Sequence, residues 1–146
     1  MNITVRHYLP ADAPFIAALE AECFHDPWSQ KAIEEAHAFG TLFLVAESCG
    51  EVVGYAGVKP ILDEGYISNV AVTEKMRSKG VGSLIMEELT LLARKSGLKT
   101  VSLEVRPSNT AAISLYKKFG YKEVGRRRNF YSHPTEDGLI LTQEVD

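Results

Sequence analysis

The chain has 146 residues and a formal net charge of −3, enough length for one sizeable core and without the basic footprint of a nucleic-acid binder. Hydrophobic residues make up 45% and charged residues 24%, an ordinary globular balance, and no apolar run approaches the ~20 residues of a membrane helix. Cys23 and Cys49 are too few for a disulfide framework, the four histidines show no metal or triad spacing, and Met1–Arg6 lacks the apolar core of a signal peptide. The expectation is a single cytoplasmic domain over 1–146, an enzyme or a binding module, with no metal, no nucleic acid and no membrane partner.

In chain order, Ile3–Arg6 alternates and predicts a first strand. Pro10-Ala-Asp12-Ala-Pro14 starts a helix, with Asp12 as cap and Pro14 in the first turn, and that helix runs to about Phe24 with Ile16, Leu19 and Cys23 inward. His25-Asp26-Pro27 breaks it, Trp28 follows, and Ser29 caps a second helix from Gln30 to about Ala38. Thr41–Glu47 and Val52–Lys59 form a hairpin, and Tyr66–Val72 is a further strand. A charged loop and two glycines lead into a helix with Val81, Leu84, Ile85, Leu89, Leu92 and Ala93 on one face. Thr100–Val105 is a strand, Thr110–Phe119 a helix, and Tyr121–Arg128 and Leu139–Glu144 two late strands. The order β-α-α-β-β-β-α-β-α-β-β predicts an α/β (α+β) fold: a mixed, mostly antiparallel sheet of about seven strands, with four helices on its two faces. The two strands joined through the third helix should be parallel neighbours.

The stretch Tyr66–Ala93 organises the rest. A strand running through a glycine-containing loop into a helix presents main-chain N–H groups with no partner inside the helix, and the helix dipole favours an anion there. The loop is not a Walker A sequence, because no Gly-Lys-Ser/Thr follows, and the dinucleotide fingerprint fails at Ile85. What remains is Arg77-x-x-Gly80-x-Gly82, which reads either as a phosphate cradle or as a surface turn closed by a helix cap.

Other positions also carry two readings. Glu104 interrupts an apolar strand and is either solvated or a general base at the end of a strand facing a cleft. Tyr116 is either a core tyrosine or a proton donor in a cleft wall. Asn109 caps a helix, and its side chain can also face a ligand. Asp63-Glu64 is a solvated turn or a steering pair for a cationic acceptor. Arg126-Arg-Arg128 reads as an exposed strand edge.

Arg77-x-x-Gly80-x-Gly82 resembles the Q/R-x-x-G-x-G/A signature of the GNAT acetyltransferases. The run Leu103-Glu-Val-Arg-Pro-Ser-Asn109-Thr-Ala-Ala-Ile-Ser-Leu-Tyr116 is similar to the second half of the GNAT fold. Pro27-Trp-Ser29, Asn69-Val-Ala-Val72 and Arg127-Arg-Asn-Phe-Tyr131 narrow the resemblance to its RimI-like branch, which acetylates the N-terminus of a ribosomal protein.

The resemblance implies acetyl-CoA as co-substrate and the N-terminus of a protein or peptide, a ribosomal protein in that branch, as acceptor. It implies that Val70, Ala71 and Val72 line the acetyl and pantetheine arm, with the Val72 N–H facing the thioester oxygen. Arg77, Ser78, Lys79, Gly80, Val81, Gly82 and Ser83 form the pyrophosphate loop, and Asn109 contacts the cofactor arm. Glu104 is then the general base and Tyr116 the general acid. Trp28, Asp63, Glu64 and Tyr131 fall on the acceptor side. Two departures touch that side: Phe130-Tyr131 stand where the family has two tyrosines, and His25-Asp26 precede Pro27-Trp28 in place of an apolar approach.

The implied chemistry favours an α-amine. At pH 7 an α-amino group is neutral roughly two hundred times more often than a lysine, and only the neutral amine attacks a thioester. With a phenol near 10 and a thiol near 8.5, full proton transfer from Tyr116 to sulfur is uphill by about 2 kcal/mol, so a hydrogen-bond donor role is expected. A GNAT enzyme acting on lysine or a small amine, and an acetyl-CoA-binding module without turnover, are the alternatives.

Overall fold

The computed structural model describes residues 2–145. Its strands are β1 (Thr4–His7), β2 (Leu42–Ser48), β3 (Glu51–Ile61), β4 (Glu64–Val72), β5 (Thr100–Val105), β6 (Lys122–Tyr131) and β7 (Glu136–Glu144). The helices are α1 (Ala13–Cys23), α2 (Gln30–Ala38), α3 (Val81–Lys95) and α4 (Thr110–Lys118). All seven strands join one sheet in the order β1-β2-β3-β4-β5-β7-β6. Every pairing is antiparallel except β4 with β5. The helical crossover through α3 requires that exception, and the element order and sheet class agree with the sequence reading.

Apolar layers lie on both sides of the first half of the sheet. Ile85, Met86 and Leu89 of α3 pack with Leu44, Ala46, Val58, Val101 and Leu141. Ile16 and Leu19 of α1 and Ile33 of α2 pack with Phe43, Val45, Tyr55 and Ala71. Phe43–Ala46 is therefore buried without a break, as expected for a strand covered on two faces. β5 differs: Val101, Leu103 and Val105 are buried, while Ser102 and Glu104 are only half-buried. One face of β5 has its helical cover and the other does not, and this leaves room beside Glu104.

At the first helix the sequence expectation needs correction. Asp12 makes no side-chain cap. Its carboxylate instead accepts two hydrogen bonds from the Arg6 guanidinium (2.8 and 2.9 Å) and one from the Leu9 N–H (2.7 Å), tying β1 to the start of α1. Ser29 does cap α2, accepting from Ala32 N–H at 3.1 Å. Among the described residues no helix is long and apolar enough to cross a membrane.

Candidate active site

β4 and β5 pair only from Glu64–Tyr66 to Thr100–Ser102 and then part. A bulge in the β3–β4 ladder, between Ala56 and Val58, bends β4 at the point of departure. The opening is a cavity of about 1170 Å³ lined by Ile67–Val70 of β4 and Ser102–Val105 of β5, with walls from the α1–α2 and β6–β7 loops.

The ladder also orients the β4 amides. Thr73 N–H donates to Val53 O (2.9 Å), so the registered pair Gly54–Val72 exchanges no hydrogen bonds with itself. The N–H groups of Val72 and of Val70, two residues earlier, therefore point away from β3, to the side β5 has left. Val70 lines the cavity. Ala71 does not: its side chain is buried under α1 beside Tyr55, and period-two alternation turns its amide back toward β3.

After β4 the chain makes a short 3-10 turn at Glu74–Met76 and enters α3. Ser78 has φ 62° and Gly80 φ 86°. The second value is one that glycine adopts without strain. No side chain caps α3, and an added Cβ on Gly80 would meet nothing within 4 Å. The first N–H groups of the helix have no acceptor within it, and there is free space beside Gly80, an arrangement that fits an anionic diphosphate. Ser83 Oγ accepts from Lys118 Nζ at 3.2 Å, placing a cation beside that turn, and Lys79 is exposed. Arg77 is otherwise engaged. Its Nε donates to Val72 O (3.0 Å) and its Nη2 lies 3.3 Å from Cys23 Sγ, so its side chain straps the loop to β4 and α1.

Glu104 and Tyr116 both line the cavity. Arg127 Nε donates to Glu104 Oε1 at 2.8 Å, whereas Glu104 Oε2 is buried with no hydrogen-bond partner among the described residues. Burial, with the neighbouring Tyr131 second, pushes the Tyr116 phenol up to about 12. Tyr131 is likewise pushed to about 12 by burial and then by the Glu104 charge. Asn109 caps α4, its Oδ1 accepting from Ala112 N–H (3.1 Å), and the residue also lines the cavity. Trp28 lines it too, while Asp63 and Glu64 do not. Asp63 faces Lys99 at 4.0 Å, and Glu64 begins β4 where that strand is still paired with β5.

Four charged residues at the site escaped the sequence reading. Arg127, taken there as part of an exposed edge, is the partner of Glu104. Arg106 donates to Pro134 O and Ser132 O (both 2.7 Å), and Glu136 accepts from Ser108 N–H and Oγ (3.1 and 2.7 Å), so this ion pair fastens the β6–β7 loop to the start of α4. Glu20 is fully buried and accepts from Trp28 N–H, Tyr55 O–H and Asn69 Nδ2. Its one sequence signal is its place on the inward face of α1, one helical turn after Ile16.

Residues 13–121 match the family described as Acetyltransferase (GNAT) family. The chain is 32% identical over 142 residues to the putative [ribosomal protein bS18]-alanine N-acetyltransferase of Bacillus subtilis, covering 94% of this chain and 92% of that protein. It is 33% identical over 135 residues to the [ribosomal protein bS18]-alanine N-acetyltransferase of Escherichia coli K12, covering 92% and 90%. The crystal structure of the ribosomal-protein-S18-alanine N-acetyltransferase from Escherichia coli superposes with a TM-score of 0.92 at 30% identity, over 99% of this chain and 95% of that one.

Proposed function

The chain belongs to the GNAT acetyltransferase family, and from that premise we propose that it transfers the acetyl group of acetyl-CoA to the N-terminal α-amino group of a ribosomal protein, the acceptor class its relatives are named for. The observation that carries the reading is that Glu104 and Tyr116 line one cavity, opened where β4 and β5 part, with the Val72 N–H turned to the same side.

Acetyl-CoA supplies the acyl group as a thioester. The uncapped turn from Ser78 to Ser83, with Gly80 leaving room, is the seat for its diphosphate, and Val70 and Asn109 flank the arm. Trp28 and Tyr131 wall the acceptor side. Glu104 Oε2, without a hydrogen-bond partner among the described residues, takes the proton of the attacking amine directly or through water. The Val72 N–H donates to the carbonyl oxygen as that atom gains charge. The new C–N bond forms, the C–S bond breaks, and the Tyr116 hydroxyl donates a hydrogen bond to the departing sulfur. Its position near 12, against about 8.5 for a thiol, makes complete transfer uphill by about 5 kcal/mol. Tyr116 therefore stabilises the thiolate without having to protonate it.

The test is mass spectrometry of peptides beginning Ala, Ser, Thr or Met after incubation with acetyl-CoA, each with its α-amine free or blocked. A gain of one acetyl group on free-amine peptides alone supports the proposal. Acetylation that persists with the α-amine blocked assigns the enzyme to lysine, and no thiol release with any amine would leave it a binding module.

A further inference from the structure

Among the described residues Glu20 is the one charged side chain buried to 0% exposure, and the mechanism above does not use it. No cation meets it among the described residues; its oxygens are held entirely by neutral donors. Oε1 accepts from Trp28 N–H (2.9 Å) and Asn69 Nδ2 (3.1 Å), and Oε2 from Asn69 Nδ2 (3.0 Å) and the Tyr55 hydroxyl (2.5 Å). A carboxylate in such a place costs more to bury than an apolar side chain of the same size, unless several donors meet it. The donors come from three places: the α1–α2 loop, β3 and β4. Two of them, Trp28 and Asn69, line the cavity.

Phe24 and Trp28 of the loop between α1 and α2 pack against the core and His25 meets the His133 ring, but few main-chain hydrogen bonds fix the loop. Cys23, Phe24, His25, Asp26 and Trp28 all line the cavity. Phe24 N–H closes the helix on Glu20 O (2.9 Å), and the next main-chain hydrogen bond is Ile33 N–H to Ser29 O (3.1 Å). Between those points the Trp28 N–H is tied only to the Glu20 carboxylate. The same carboxylate orients Asn69 on β4, next to Val70 and at the place where β5 has left.

We propose that Glu20 is a positioning residue for the acceptor: its buried carboxylate sets the distance between the α1–α2 loop and β4, and so shapes the wall against which the acceptor chain lies. It takes no proton in the reaction and does not touch the acetyl donor. This rests on the acetyl-transfer reading for its kinetic consequence, but not for its structural one.

The test combines kinetics with the fluorescence of Trp28, the single tryptophan of the chain. In Glu20→Gln, one acceptor oxygen becomes a donor that opposes the Asn69 amide. The acceptor-peptide KM should rise tenfold or more, with the acetyl-CoA KM within twofold of wild type. Acrylamide quenching of Trp28 should at least double while far-UV circular dichroism stays unchanged. Adding Asn69→Asp to Glu20→Gln reverses the donor and acceptor, and should return quenching to within a third of wild type. Tyr55→Phe, which leaves Trp28 and Asn69 tied, should lower Tm and move neither KM nor quenching. Should Glu20→Gln fail to fold, Glu20→Asp keeps the charge and shortens the reach to Trp28, and the same signs are expected at smaller size. Unchanged quenching in the folded Glu20 variant, or equal rises in both KM values, would overturn the proposal. Wild-type protein that acetylates no peptide would sink the functional reading alone, because quenching still decides whether Glu20 holds the loop.

Discussion

Arg127 Nε lies 2.8 Å from Glu104 Oε1, while Oε2 of the same carboxylate is buried with no partner among the described residues. The carboxylate is thus anchored by one oxygen, and the other is left without a partner beside the cavity that the residue lines. Glu104→Gln keeps the shape but cannot take a proton, so kcat/KM should fall by about 10²–10⁴. Arg127 has a 60% exposed side chain, and an ion pair that open contributes about 0.2–1 kcal/mol. Arg127→Gln should therefore cost only about twofold to fivefold, and nothing further when Glu104 is already Gln. Steady-state kinetics of the two single variants and the double variant decide this. A loss of about 10² from Arg127→Gln alone would mean that it contacts the acceptor.

Tyr116 stays protonated well above neutrality, because burial and then Tyr131 raise its phenol to about 12. The sign is clear: a raised phenol pKa extends the pH range over which the group can donate, so no loss of kcat from Tyr116 is expected below about pH 11. Tyr116→Phe should lower kcat by about 10²–10³, the effect of removing one donor aimed at developing charge. Acetyl-CoA affinity by calorimetry should remain near wild type. Unchanged turnover would remove Tyr116 from the chemistry.

The glycine loop, the order of elements along the chain and the position of Glu104 are legible in the sequence because each depends on local pattern. A strand, a turn and an amphipathic helix lie end to end, and a lone carboxylate interrupts a period-two strand. The partners of the charged groups are not legible. Arg127 reaches Glu104 only because β7 inserts between β5 and β6, which no local spacing reports. Glu20 gathers donors from the loop that follows its own helix and from β3 and β4, which are distant in sequence. Asp12 looks like a helix cap until the β1 register brings Arg6 to it. Asp63-Glu64 has the charge expected of a steering pair, but it stands at the end of β4 that remains closed against β5.

Asp12 gives a stability prediction with a definite pH window. Hydrogen bonds from Arg6, and a smaller one from Leu9 N–H, hold its carboxyl below the usual range against the opposing effect of burial. A depressed carboxylate stabilises the fold above its unfolded pKa of about 4, and that stabilisation is lost as pH falls below it. Asp12→Asn should destabilise by about 1.5–3 kcal/mol at pH 7, and the gap from wild type should narrow at pH 3. Urea midpoints at pH 7, 5 and 3 test this. A gap that does not change with pH would show that the Arg6 pair carries no linkage.

Gly80 stands at the left-handed entry to α3, with φ 86° and open space where a Cβ would be. Alanine there meets no clash, so the whole penalty is backbone, about 1–2 kcal/mol if the left-handed conformation is kept. The chain either bears that strain or relaxes the turn and moves the N–H groups that face the diphosphate. Gly80→Ala should therefore lower Tm and raise the acetyl-CoA Kd by about fivefold to thirtyfold, the equivalent of 1–2 kcal/mol. Gly82→Ala serves as the contrast. Its Cβ would lie 3.0 Å from Leu115 Cδ2, the free end of a side chain that can yield, and its φ is not in the left-handed region. Its Tm should fall less than that of Gly80→Ala. Calorimetric titration of both variants with acetyl-CoA, and with inorganic pyrophosphate as competitor, separates the two effects. A Gly80→Ala protein that loses stability but binds acetyl-CoA as tightly as wild type would place the diphosphate elsewhere.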